Sequence, residues 1–141
     1  MTGRSASRLF TLRTVKRRVR ALAGQLGAEP ACLPTFGRSR QDGRPHIEVC
    51  DTYCFVVCER GQLFERHCST DLDQLLYWVF AEVTFSMAVD HELRNRRPGE
   101  DSRRQLFAKQ VELLARLSPA WAERGAEEHR RLLEEHPFKD Q

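Results

Sequence analysis

This chain has no long apolar stretch. Its longest unbroken run, Leu75 to Ala81, is far short of the roughly 18 residues a membrane-spanning helix needs. It also has no acid in residues 1–28, which carry seven Lys/Arg. There Arg or Lys interrupts every apolar stretch before it reaches the length of a signal core, which argues against a secretory signal, although the acid-free, Arg-rich character suits an organellar transit peptide. Glycine-rich phosphate loops, nucleophile elbows and HExxH are missing as well. Without them no catalytic, cofactor-binding or metal-ligating residue is assigned, and no cofactor is expected.

What is present is ordinary for a soluble protein. The 141 residues are 40% hydrophobic and 30% charged, enough for one modest core without disulfide staples. The net charge of +3 is uneven, because the remaining sixteen Lys/Arg face twenty Asp/Glu and leave residues 29–141 at −4. A basic arm therefore precedes a mildly acidic body. The five cysteines are an odd number without framework spacing, which points to free thiols in a reducing cytoplasm.

The organisation reads as a basic amphipathic helix in residues 1–28, a loop over 29–45, and one α+β domain over 46–141 on which the helix packs. In RLFTLRTVKRRVRALAGQLG, Leu9, Leu12, Val15, Val19, Leu22 and Leu26 recur at steps of three and four, forming one helical stripe that ends at Gly27. Pro30, Pro34, Gly37, Gly43 and Pro45 break any period in the loop. HIEVC, YCFVVCE and QLFERH then read as a three-stranded antiparallel meander, turning at Asp51-Thr52 and Arg60-Gly61. Three C-terminal helices follow, packed on the sheet.

The first of these, TDLDQLLYWVFAEVTFSMAVDHELR, is apolar on most sides and so expected to be enclosed by other elements. Ser69 or Thr70 is placed to cap it, with Asp71 and Asp73 at the positive end of its dipole. Leu72, Leu76, Val79, Val83 and Met87 form its stripe, widened by Phe80, Phe85 and Ala88. Pro98-Gly99 ends this segment. The second helix spans about Asp101 to Leu117, and Ser118-Pro119 starts the third.

The charges at the exit of the long helix, DHELRNRRPGEDSRR, are the most specific polar feature. Asp90 with Arg94, and Glu92 with Arg96, are acid-first pairs at i,i+4. Asp101 is placed to cap the next helix, while Arg103 and Arg104 oppose its dipole, with Glu92 as the nearest candidate to compensate them. An ion-pair clamp between two helices accounts for this cluster, and a polar patch presented to a partner is the functional alternative. Cys50, Cys54 and Cys58 share parity and, with Cys68, His46 or His67, suggest metal ligands. Their spacing within a strand does not converge on one ion, so they read as small buried apolar residues instead.

The segments YCFVVCERGQLFER, TDLDQLLYWVFAEVTFSMAVDHELRNR and DSRRQLFAKQVELLARLSPAWAERGAEEHRRLLEEHPF together resemble the immunity protein 63 family of bacterial polymorphic toxin systems, over roughly residues 45–138. The most specific parts are the approach to Leu75-Leu76-Tyr77-Trp78, Glu92-x3-Arg96, Asp101-x-Arg103-Arg104 followed by Phe107 and Gln110, and Pro137-Phe138. The basic arm and the cysteines are not family features. The resemblance implies a cytoplasmic protein, without catalysis, that binds the toxin C-terminal domain encoded by the adjacent gene and blocks its active site. If that toxin is a nuclease, an acidic surface would suit its basic cleft. Asp71, Asp73, Glu82, Glu92, Arg96, Asp101, Arg103 and Arg104 are the candidate partner-binding residues, with Glu127, Glu128, Glu134 and Glu135 as further acids. A small nucleic-acid-binding protein using the basic arm is the alternative. Its apolar stripe, its lack of interleaved aromatics and the acidic body disfavour it.

Overall fold

The structure is a computed structural model that describes residues 8–38 and 42–141. Expectations for residues 1–7 and 39–41, at the start of the arm and within the 29–45 loop, lie outside the described residues. The elements run α1 (Leu12–Leu26), a short 3₁₀ turn at Pro30–Cys32, β1 (Thr35–Phe36), β2 (Asp42–Val49), β3 (Tyr53–Glu59), β4 (Gln62–Ser69), α2 (Leu72–Arg94), α3 (Ser102–Leu117) and α4 (Pro119–Glu135). The class is α+β. The chain forms two compact units, one drawn from residues up to Ala21 with Leu33–Val79, the other from Leu22–Cys32 with Phe80–Gln141. Helices α1 and α2 each contribute a segment to both.

In the first unit the sheet order is β1-β2-β3-β4. The expected antiparallel meander is present as β2-β3-β4, but the sheet is mixed and has four strands. Within the expected loop, Thr35 and Phe36 pair in parallel with His46 and Ile47, and the Gly37 N–H donates to the Ile47 carbonyl at 2.7 Å. The second strand also begins earlier than His46 and includes Pro45, where the register shifts against β3. The short β1 leaves Pro45 unopposed on that side, so its missing N–H disturbs no ladder.

Arg60 and Gly61, both at positive φ, close a two-residue hairpin between β3 and β4. A register shift between Val57 and Cys58 lets β4 carry one extra residue near Phe64, and Cys54 then lies opposite Cys68. These two form a disulfide with Cα atoms 4.2 Å apart, which corrects the expectation of five free thiols. Cys32, Cys50 and Cys58 are free. Cys50 is exposed in the β2–β3 turn, outside either strand, so it does not share a sheet face with Cys54. Strand β4 is an edge, and its Leu63 and Phe64 remain more than half exposed.

The unit's core gathers Val15, Val19, Ile47, Tyr53, Phe55, Val56, Leu75, Tyr77 and Val79. Helix α1 is anchored by the Phe10 N–H, which donates to the Tyr53 hydroxyl at 2.7 Å. Thr11 begins this helix: its hydroxyl accepts from the Thr14 N–H and its carbonyl from the Val15 N–H. The cap of α2 is Asp71, whose carboxylate accepts from the Asp73 N–H, while Ser69 accepts from Asp71 itself. Neither Ser69 nor Thr70 takes that role.

In the second unit Phe80, Val83, Ala88, Leu106, Leu113, Leu114, Trp121 and Ala122 are buried, with Phe80 stacked on Trp121 at 6.1 Å. Phe85 is 43% exposed, so the apolar coat of α2 is open on that side. A polar thread crosses this core. Gln110 donates to the Ala81 carbonyl and the Thr84 hydroxyl, its amide oxygen meets the His129 Nε2 at 2.8 Å, and His129 stacks on Phe107. Buried polar groups are tolerated when satisfied in this way, and they fix the register of three helices.

Candidate partner-binding site

At the exit of α2, Glu92 is only 4% exposed. Its carboxylate is held by two Arg96 nitrogens at 3.2 and 3.0 Å, while the rest of the Arg96 side chain reaches water. Asp90 and Arg94 form the second acid-first pair at 3.1 Å, on the exposed side. Helical spacing makes both pairs, since residues four apart lie on one face. Burial separates them, because only the first sets a carboxylate where an unpaired charge would be costly.

Asp101 is the hub of the next turn. As the cap of α3 it accepts from the Arg103 N–H at 3.0 Å, and the same carboxylate takes the Arg103 side chain and the Lys139 N–H. Arg103 continues to the carbonyls of His136 and Pro137. Arg104 grips Asp140, whose carboxylate also accepts from the Asp101 N–H, and both guanidinium groups lie over the Phe138 ring. The acids that compensate the two arginines are therefore Asp101 and Asp140; Glu92 serves Arg96. Residues 136–141 are strapped to the start of α3. The Arg103 side chain, then the Lys139 and Arg103 backbone N–H groups, hold the Asp101 carboxyl well below the usual carboxylate range. Asp140 is lowered chiefly by Arg104.

Of the eight candidates, five (Glu92, Arg96, Asp101, Arg103 and Arg104) thus fall in one braced corner of the second unit. Glu82, also in that unit, is exposed on α2, and Asp71 and Asp73 are exposed at the helix start in the first unit. Among the further acids, Glu127 and Glu134 are engaged by Arg130. Sequence reasoning missed Asp140, whose only signal is a lone acid beyond the last helix, and the Gln110–His129 contact, whose members are nineteen residues apart.

No group of three or more His, Cys, Asp or Glu among the described residues is arranged to hold a metal ion, and none of their helices is long and apolar enough to cross a membrane. Fold and site together define a small α+β protein whose polar clusters brace helix ends and present charge outward. The chain belongs to the immunity protein 63 family, whose sequence model matches residues 50–131, more than half of its length. That span runs from β3 to near the end of α4 and contains all eight candidates. Comparison with curated proteins and with solved structures finds no match.

Proposed function

We propose that this protein neutralises a cognate polymorphic-toxin domain by covering its active site, in the cytoplasm of the bacterium that makes both, and that it performs no catalysis itself. Membership of the immunity protein 63 family carries this reading. The physics supports it: a corner tied by charge-assisted hydrogen bonds keeps its shape when a partner docks, so little ordering entropy opposes association. A standard interface of about 800 Å² per partner suits a protein this small.

For a nuclease toxin with a basic cleft, the exposed acids available are Glu82 in the second unit and, separately, Asp71 and Asp73 in the first. Arg96 and Arg104 present guanidinium groups held by Glu92 and Asp140 respectively, while Asp101 and Arg103 tie the C-terminal residues to the start of α3. Co-expression with the toxin domain encoded by the adjacent gene is the test. Survival of the cells and co-purification of a complex are expected. Cells that die while this protein is folded and abundant, with no complex recovered, would overturn the reading.

A further inference from the structure

The basic face of α1 lies outside the family-matched residues and has no ion-pair counterpart among the described residues. From Arg94 to Arg116 every arginine and lysine meets a carboxylate within ion-pair distance. In α1 the reverse holds: Arg13, Lys16, Arg17, Arg18 and Arg20 have no ion-pair partner among the described residues. Residues 1–7 and 39–41 contain no acid. Val15 and Val19 point into the core, so the cations form the outward side of an anchored helix.

Four of the cations share one side. Arg13, Lys16, Arg17 and Arg20 line a cavity of 540 Å³ whose floor is apolar, made by Leu12 and Phe36. Arg13 and Arg20 are seven residues apart, about 10 Å along the helix, with Lys16 and Arg17 one turn from each. At Gly37, beside Phe36, a Cβ would approach Leu12 to 3.2 Å, so the backbone closes the floor there. An apolar centre ringed by charge is the anatomy of a protein-binding patch. Nucleic acid fits it less well. Phe36 is the one aromatic among the residues lining the cavity, with the Lys16 ammonium 5.6 Å from its ring, whereas a nucleic-acid strand is held by a succession of rings on which its bases stack.

We propose that this face of α1 is a docking site for an acidic segment of a protein partner, one that presents carboxylates at one-turn intervals and seats an apolar side chain between Leu12 and Phe36. Charge complementarity selects the segment and speeds its approach, and the apolar seat distinguishes docking from diffuse attraction.

Fluorescence anisotropy with the full-length chain tests this. The probe is a labelled helical peptide carrying Glu at i, i+4 and i+7 around one Leu. Controls are its Glu→Gln and Leu→Ser forms and labelled single-stranded and duplex DNA. The acidic Leu peptide is expected to bind, and the Glu→Gln form to lose about tenfold or more in affinity. The triple variant Arg13→Gln/Arg17→Gln/Arg20→Gln, checked for an unchanged circular-dichroism melt, should lose binding to a similar degree. Phe36→Ala should reduce binding of the Leu peptide to the level of the Leu→Ser peptide. Equal binding of the Glu and Gln peptides, an unaffected triple variant, or tighter binding of either DNA than of the peptide would overturn the proposal.

Discussion

Glu92 shows what a single buried carboxylate asks of its neighbours. Its 4% exposure makes Arg96 essential to its solvation, so Arg96→Ala should lower the melting temperature by several degrees. Adding Glu92→Gln should recover part of that loss by removing the stranded charge. Thermal unfolding of the single and double variants checks both. Two titrations follow from other residues. His129 is held below its usual value of 6.5, mainly by burial. The unfolded chain therefore takes up the proton first. The contribution of a neutral His129 is complete above about pH 6.5 and falls away as pH drops toward the folded-state value. His129→Gln should flatten that limb of the stability profile. Asp101 is lowered from 3.8, so its contribution is complete above about pH 4 and is lost on further acidification. Asp101→Asn should remove that dependence and lower the melting temperature even at neutral pH. At this scale the i,i+4 pair was legible because it obeys helical spacing. The Arg104–Asp140 contact was not, because its partners lie 36 residues apart and only tertiary packing joins them.

Among the elements, the helices were read from periodicity and punctuation. Gly27 ends α1 at positive φ, and Ser118-Pro119 starts α4 with the Ser118 hydroxyl accepting from the Trp121 N–H. Strands carried less information. A two-residue strand such as β1 leaves no period to detect, and only its partners, His46 and Ile47, define it. The Cys54–Cys68 pair illustrates a finer limit. A regular hairpin closed by Arg60-Gly61 opposes Cys54 to His67, and the extra residue near Phe64 moves Cys68 into that place. Thiol titration of the air-purified protein after denaturation without reductant should therefore count three thiols, with five after reduction. Five before reduction would refute the pairing.

For the whole molecule, the lack of a long apolar run already argued against a helical membrane span, while the binding role was legible only through the family resemblance, which the match over residues 50–131 supports. The distribution of charge adds a division that sequence spacing did not reveal. From Arg94 to Arg116 the basic side chains meet carboxylates of this chain, whereas those of α1 meet none among the described residues. Net charge alone concealed this, since a count of residues does not say which of them have met.

Titrating this protein into the purified toxin domain while following that domain's activity decides whether it acts by stoichiometric cover of the active site. Activity should fall linearly and vanish near one equivalent, with no product released by this protein alone. Full toxin activity in the presence of a large molar excess of folded protein would contradict it.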